Sequence, residues 1–190
     1  MKKGFTLIEL LIVIGILAIL ATAVVVVLNP AQLFAQARDS QRISDVASLQ
    51  SALSYYLSTA SASVLDLGDG VDFTCGTNYG PSSSAATSTW MAAATVAHAG
   101  VLSVTGTGWV AVNLGNATGG SPLSSLPADP TNSATYHYQY SCDNTARTFE
   151  LDARMESARY AGGGSDDVVN TDGGNDGSFY EVGNDPGLNL

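Results

Sequence analysis

Basic residues are scarce in this chain, where seven lysines and arginines stand against seventeen acids in 190 residues. Both lysines, Lys2 and Lys3, precede the first apolar run. Because a phosphate-binding surface needs clustered bases, we expect no direct nucleic-acid binding. Charged residues make up only 13% of the chain. Much of the apolar content lies before residue 29, and the polar remainder is long enough for one globular domain.

Cysteine is equally scarce. Cys75 and Cys142 are the only two, they lie far apart, and neither has a second cysteine or a histidine at metal-binding spacing. If this part of the chain lies outside the cytoplasm, a disulfide between them is expected, and a free buried pair is the alternative.

Catalytic motifs are also missing. His98 and His137 are not accompanied by Gly-x-Ser-x-Gly, His-x-x-x-His or a phosphate-binding glycine loop. We interpret both histidines as structural or exposed and predict that the protein is not an enzyme. The alternative, a membrane-tethered hydrolase, would need a Ser or Asp that converges with one of these histidines in a cleft.

One long apolar run is present. Residues 5–28 contain one acid and no base, and as a helix they would extend ~36 Å, enough to cross the ~30 Å hydrocarbon core of a bilayer. The positive-inside rule keeps Lys2 and Lys3 in the cytoplasm and sends the remainder across the membrane. An ordinary secretory signal cleaved near residues 21–23 is the alternative, although residues 24–28 are still apolar.

Glu9 is the single acid of this run. A carboxylate in a lipid-buried segment costs several kcal/mol unless it is paired, so such residues are usually functional. Alternatively, the Glu9 side chain reaches water at the membrane interface and has no role. If the chain were cut between Gly4 and Phe5, a new α-amino group would arise on Phe5. Glu9 of one subunit could then neutralise that amine on a neighbouring subunit.

The run Gly4-Phe5-Thr6-Leu7-Ile8-Glu9 after a short basic leader resembles the prepilin signal of type IV pilins and type II secretion pseudopilins. The resemblance implies that a membrane peptidase cuts after Gly4 and methylates Phe5, and that Glu9 serves assembly. It also implies an assembly ATPase and a platform protein as partners, and a long N-terminal helix under a small head.

From the residues and the resemblance together we predict an α+β, pilin-like fold and a structural subunit of a type IV pilus-like filament for adhesion, twitching motility or DNA uptake. The subunit would be held in the inner membrane with its head outside the cytoplasm, and would then polymerise with copies of itself into an extracellular filament. A periplasmic pseudopilus subunit of type II secretion is the alternative. A membrane-anchored adhesin or binding module is a third interpretation.

The predicted organisation has a leader (residues 1–4), a membrane and filament-core helix (5–28), an amphipathic continuation (29–60) and a head (61–190). Pro30 predicts a kink between the helical halves. Apolar residues recur at three- and four-residue steps in the continuation and predict the stripe that packs on the head: Leu33, Phe34, Ala37, Ile43, Val46, Leu49, Leu53, Tyr56 and Leu57. Arg38, Asp39, Arg42 and Asp45 are placed on the polar side, with Arg42 and Asp45 spaced for an ion pair.

In the head, the pattern predicts a helix over residues 88–99 and strands over 101–104, 109–114, 135–142 and 148–153. The last two strands would form a hairpin around a turn at residues 143–146, with three alternating tyrosines as packing residues. An Asp-Pro turn at residues 126–130, followed by these strands, is loosely similar to the C-terminal part of pseudopilins, although Thr131 replaces a tryptophan often found there.

Residues 162–190 are acidic and glycine-rich, with no base. Carboxylates on such turns suit hard cations, so a Ca²⁺ site is predicted at Asp167, Asp172, Asp176 and Asp185. No EF-hand spacing is present, and a solvated acidic segment is the alternative.

Overall fold

The fold begins with two consecutive helices, described here from a computed structural model that covers residues 4–60, 65, 73–86 and 95–190. Helix α1 (Leu7–Leu28) and helix α2 (Pro30–Thr59) are separated only by Asn29, which adopts a left-handed backbone with φ of 41°. Pro30 is the first residue of α2, a position where its missing amide hydrogen costs no helical hydrogen bond. The expected interruption at Pro30 is confirmed.

The two helices differ in what covers them. No residue of α1 is buried, because the helix projects away from the rest of the chain. One face of α2 is covered by the head. The buried residues of α2 recur mostly at three- and four-residue steps: Ala35, Asp39, Arg42, Val46, Leu49, Ala52, Leu53 and Tyr56.

A five-stranded sheet forms the centre of the head, in the order β2-β1-β3-β4-β5. The strands are β1 (Asn78–Pro81), β2 (Thr95–Val96), β3 (Tyr138–Asp143), β4 (Thr148–Ala153) and β5 (Tyr180–Gly183). β2 is a short parallel addition to β1, and the other four strands pair antiparallel. One long bent helical segment beside a small antiparallel sheet confirms the α+β, pilin-like layout.

The predicted hairpin is confirmed as β3 and β4, and its tyrosines behave as packing residues. Tyr138 and Tyr140 are fully buried in the core that also contains Leu49 and Leu53 of α2. The strand begins at residue 138 instead of 135 because Ser133 Oγ accepts hydrogen bonds from the amides of residues 135 and 136, which curls the preceding backbone into a turn.

Three other predictions for the head are wrong. Residues 95 and 96 form β2, so the helix over residues 88–99 does not extend there, and residues 88–94 lie outside the described part of the chain. Residues 101–104 and 109–114 are not strands. They exchange isolated hydrogen bonds, such as Trp109 N to Val101 O at 2.8 Å. Thr105 and Asn113 form an isolated bridge there and not a continuous ladder.

The polar face assigned to α2 is also partly wrong. Asp39 and Arg42 are fully buried, whereas Leu33 and Phe34, placed on the packing stripe, are 49% and 66% exposed. Arg42 pairs with Asp39 at the previous turn and not with Asp45. The reason is that the head supplies its own carboxylate and backbone partners to this part of the helix, which helical periodicity cannot reveal.

Candidate functional site

The N-terminal turn places Glu9 against the start of the chain. Thr6 caps α1 by accepting a hydrogen bond from Glu9 N through its Oγ1 at 3.3 Å. In return, Glu9 Oε2 accepts from Thr6 N at 2.8 Å and from Thr6 Oγ1 at 2.7 Å. This reciprocal capping box brings the carboxylate to the amide that directly follows Phe5. The peptide link between Gly4 and Phe5 precedes the helix, and both residues are exposed.

The surface of α1 is apolar and open. Its large apolar side chains are between 45% exposed, at Val13, and 82% exposed, at Leu7 and Val27. Within the described residues, one helical stretch, Leu7–Thr59, is long and apolar enough to cross a membrane by length and composition. A helix that is apolar on every side needs an apolar environment all around it. The head does not provide one, so the covering of α1 comes from outside the subunit.

A buried ionic cluster joins α2 to the head. The Arg42 guanidinium donates to both carboxylate oxygens of Asp129, at 2.6 and 2.9 Å, and to Asp39 at 2.7 Å. Asp39 in turn accepts from the backbone amides of Glu156 and Ser157. Burial opposes the charge of Arg42, but the hydrogen bonds from Arg42 to these carboxylates outweigh it and raise its pKa. The Asp-Pro turn therefore anchors the helix.

A second, more exposed ion pair lies beside this cluster. Arg38 donates to both carboxylate oxygens of Glu156, at 2.8 and 2.6 Å, and lowers the pKa of that carboxyl. On the next turns of α2, Tyr138 donates its hydroxyl to Asp45 at 2.9 Å. These contacts make α2 and the head one mechanical unit.

A disulfide joins Cys75 and Cys142, which are 67 residues apart in sequence. It ties the segment before β1 to the hairpin strand β3 and confirms the predicted pair. The free-thiol alternative does not apply, since neither cysteine is free.

The structure does not bring the four predicted calcium ligands together as one set. Asp167 accepts from the amides of Gly163, Val169 and Asn170, and hydrogen bonds of this kind, first of all from Asn170 and Gly163, lower its pKa to about 2. Asp167 is thus the cap of its own loop.

The other three expected ligands have looser surroundings. Asp172 accepts from the amides of Gly174 and Glu181, and Asp176 and Asp185 accept one backbone amide each. Only Asp172 and Asp185 share an opening, a cavity of about 230 Å³ that Glu181 also lines. Their role in cation binding stays a prediction.

A different carboxylate cluster was missed at the level of sequence. Glu150 and Asp152 on β4 and Glu181 on β5 are each at most 3% exposed. Burial raises the pKa of all three carboxyls, that of Glu181 to about 7. The alternation of Glu150 and Asp152 within β4 was visible beforehand. Glu181 could not be added to them without the pairing register of β5.

The two histidines are held by backbone or amide groups. The Nδ1 atom of His98 lies 3.2 Å from Gly108 O. His137 is fully buried, with Nδ1 3.2 Å from Ser133 O and Nε2 2.9 Å from the Gln139 side-chain nitrogen. This environment is that of a structural neutral imidazole, and burial lowers the pKa of His137 to about 4.

Comparison with known proteins addresses the N-terminal segment alone. Residues 1–25 match the family model of the prokaryotic N-terminal methylation motif, the prepilin signal of type IV pilins and pseudopilins. Gly4, Phe5 and Glu9 lie within the matched residues. No curated protein and no solved structure matches the chain. The motif indicates processing by a prepilin peptidase, and with the apolar α1 it fits anchoring in the inner membrane with an exposed head.

Proposed function

We propose that this chain is a structural subunit of a type IV pilus-like filament, stored in the inner membrane and polymerised through α1 for adhesion, twitching motility or DNA uptake. The observation that carries the proposal is the pairing of a methylation motif with a 22-residue helix that buries no side chain against its own head. The motif accounts for the processing of the chain. The uncovered helix α1 accounts for the two environments of the subunit, lipid during storage and neighbouring helices in the filament.

Storage in lipid follows from length and hydrogen bonding. At ~1.5 Å per residue, the 22 residues of α1 extend ~33 Å, close to the ~30 Å hydrocarbon core. A helix also satisfies its own backbone amides and carbonyls, which lipid cannot do. The Asn29–Pro30 break then lies near the outer face of the inner membrane, where α2 and the head begin.

Polymerisation follows from the same surface. Once α1 leaves the bilayer, its apolar side chains must be covered again, and identical helices are the available partners of matching length. At ~25 cal/mol per Å² of apolar area, burial of a helix of this size is worth on the order of tens of kcal/mol relative to water. Extraction from lipid requires energy, and we propose an assembly ATPase and a platform protein as the partners that supply it.

Glu9 sets the register of this assembly in our proposal. Its carboxylate already lies at the Thr6 amide, one residue from the amine that cleavage after Gly4 would create on Phe5. In a stack of helices, the carboxylate of one subunit can neutralise the Phe5 amine of the next one. Without that pairing, each subunit would bury an uncompensated charge.

The decisive experiment is coexpression of the chain with a prepilin peptidase and a pilus assembly system. We expect mass spectrometry to find a mature chain that begins at N-methylated Phe5, and electron microscopy to find filaments labelled by an antibody to the head. The Glu9→Gln variant should be cleaved and membrane-inserted as usual, yet yield at least about tenfold less filament, because ~1.4 kcal/mol per subunit contact already gives that factor.

A matched control keeps this result specific. Asp166→Asn removes one exposed head acid, whose described ion pair is with Arg159, and should leave filament yield unchanged. A mature chain that starts after residue 23, or full filament yield from Glu9→Gln, would contradict the proposal.

The type II secretion alternative has two observations in its favour, the Asp129 turn that anchors α2 and the acidic segment from residue 162 onward. Both are similar to features of pseudopilins. The two functions are separated by expressing the chain at normal level with either machinery. Surface filaments with a retraction ATPase favour a pilus, whereas restored secretion through an outer-membrane secretin favours a pseudopilus.

A further inference from the structure

The sheet carries three buried carboxylates on the face turned away from α2. Glu150 and Asp152 are two residues apart on β4, so their side chains share one face, and Asp152 is paired with Glu181 on β5. Leu151 and Ala153, on the opposite face, belong to the core that α2 covers. This buried acidic cluster is therefore separate from the helix-anchoring ions around Arg42.

The three side chains have the spacing of ligands to one ion. One carboxylate oxygen from each of them lies within 4.8 Å of the other two. Ca²⁺ binds oxygen at ~2.3–2.6 Å, so two ligands of the same ion are at most ~5 Å apart. The strands would need no rearrangement for all three residues to bind a common cation.

One of these three side chains has an unpartnered oxygen. Asp152 Oδ1 is fully buried and has no hydrogen-bond partner among the described residues. Its two neighbours are partly satisfied, since Glu150 accepts from Leu190 N at 2.8 Å and Glu181 accepts from Asp176 N at 2.9 Å. A buried carboxylate oxygen without a donor is expensive, so a missing positive partner is the simplest explanation.

The ion-paired arginines among the described residues have their partners outside the cluster. Arg42 and Arg38 bind the carboxylates beside α2, and Arg159 binds Asp166. Arg147 donates to Leu57 O, and the Arg154 guanidinium lies over the Phe179 ring at 4.9 Å. The ion pairs of Arg38, Arg42 and Arg159 therefore all lie outside the carboxylate cluster.

An acidic opening leads to the cluster. Glu181 lines the cavity of about 230 Å³ together with Asp172 and Asp185, so carboxylates surround its entrance. Such an arrangement attracts small cations and repels anions. Glu181 belongs both to the opening and to the cluster, which gives an ion a way in.

We propose that Glu150, Asp152 and Glu181 bind a single hard divalent cation, Ca²⁺ in preference to Mg²⁺, between β4 and β5. Three carboxylates on neighbouring strands suit the variable coordination of Ca²⁺ better than the strict octahedron of Mg²⁺. The ion would link the backbone around Asp176 and Leu190, already bound to two of the ligands, to the sheet. The site differs from the loop set around Asp167 and does not depend on the proposed filament function.

The test uses the mature full chain in detergent, with its disulfide intact and metals removed by EGTA. Isothermal titration with CaCl₂ should give one site per chain, and saturating Ca²⁺ should raise the Tm by about 5–10 °C. Asp152→Asn and Glu181→Gln should each weaken Ca²⁺ binding at least about tenfold. Titration with MgCl₂ should be weaker than with CaCl₂.

Two comparisons make the result specific. Asp166→Asn, which removes an exposed acid, and Asp167→Asn, which removes a member of the loop set, should retain wild-type Ca²⁺ affinity. In EGTA, Asp152→Asn should be at least as stable as wild type, because it removes a buried carboxyl whose Oδ1 has no hydrogen-bond partner among the described residues, and in Ca²⁺ it should be the less stable protein. This reversal is not expected from a residue that acts only in packing.

Absence of Ca²⁺ binding by the wild-type chain would overturn the proposal, with the carboxylates then held by protons. Loss of binding in Asp167→Asn with retention in Asp152→Asn would also overturn it and place the ion in the loop. Neither outcome bears on filament assembly, which the Glu9 experiment measures separately.

Discussion

Helices α1 and α2 follow each other across one residue, yet α1 buries none of its side chains and α2 buries eight. The difference reflects composition. α1 is apolar on every side and carries one acid, whereas α2 alternates apolar residues with charged and polar ones. A helix that is complete within its subunit needs only one covered face. A helix that is apolar all round is complete only in lipid or in an assembly.

The charges within the two helices show the same contrast. Glu9 has its described hydrogen bonds from Thr6 alone, within its own first turn. Arg42 is satisfied by Asp39 and Asp129, and it approaches Glu156 at 3.3 Å. Thus α2 finds its counter-charges in the head, whereas in the proposed filament the counter-charge of Glu9 would be the Phe5 amine of a neighbouring subunit.

The largest loss of stability is expected from a substitution at Arg42, where buried ion pairs join α2 to the head. Arg42→Met removes the guanidinium that forms the described ion pairs with the buried side chains of Asp39 and Asp129. We expect a loss of about 3–5 kcal/mol in the free energy of unfolding. Urea denaturation of the full chain in detergent, followed by near-UV circular dichroism, measures this loss.

Arg38→Gln is the matched control, since its ion pair with Glu156 is partly exposed and should contribute far less to stability than the buried pairs of Arg42. Equal losses of unfolding free energy in Arg42→Met and Arg38→Gln would contradict this prediction. They would show that burial of the Arg42 cluster does not determine its contribution to stability.

The ionic anchor also shows what the sequence could and could not predict. Local pattern was enough to predict α1 with Glu9 as its single acid, the Pro30 break and the β3–β4 hairpin. Each of these depends on an apolar run, a residue spacing or a strand alternation. The burial of Asp39 and Arg42 was not predicted, since it depends on Asp129, which lies 87 residues after Arg42. The carboxylates of β4 and β5 were missed for the same reason, because a four-residue strand inside a glycine-rich segment gives little signal by itself.

The second prediction compares the helices with one substitution in each. Leu49 of α2 is fully buried, whereas Leu17 of α1 is 57% exposed. Leu49→Ala should lower the free energy of unfolding of the head by about 2–5 kcal/mol, because it leaves a cavity in the core. Leu17→Ala should change it by less than about 0.5 kcal/mol. Urea denaturation of both variants under the same conditions measures the two values.

The same pair separates stability from assembly. Leu17→Ala should reduce filament yield through loss of apolar contact between subunits, in spite of an unchanged head. If Leu17→Ala destabilised the head as much as Leu49→Ala does, α1 would have to pack on the head, and the distinction between the helices would be wrong.

The smallest expected effect concerns His137, on β3's boundary within the head. Its imidazole faces Ser133 O and the Gln139 amide, with Asp129 and Arg154 as the nearby charges. Burial lowers its pKa from 6.5 to about 4. Between pH 4 and pH 6.5 the unfolded chain therefore binds a proton at His137 that the folded chain does not bind. Stability from this group is complete above pH 6.5 and is lost as the pH falls toward 4.

Between pH 7 and pH 5 the loss should be about 2 kcal/mol. The carboxyls of Glu150, Asp152 and Glu181 have raised pKa values and change stability in the opposite direction, so the measured quantity is the difference in unfolding free energy between wild type and His137→Gln at each pH. The carboxyl contributions cancel in that difference. We expect wild type to lose about 2 kcal/mol relative to His137→Gln on acidification, while the far-UV helical signal of α1 persists, because no residue of α1 is buried against the head.

A difference in unfolding free energy that stays constant from pH 7 to pH 5 would contradict a buried neutral imidazole at His137. Parallel loss of the α1 signal would contradict the independence of α1 from the head.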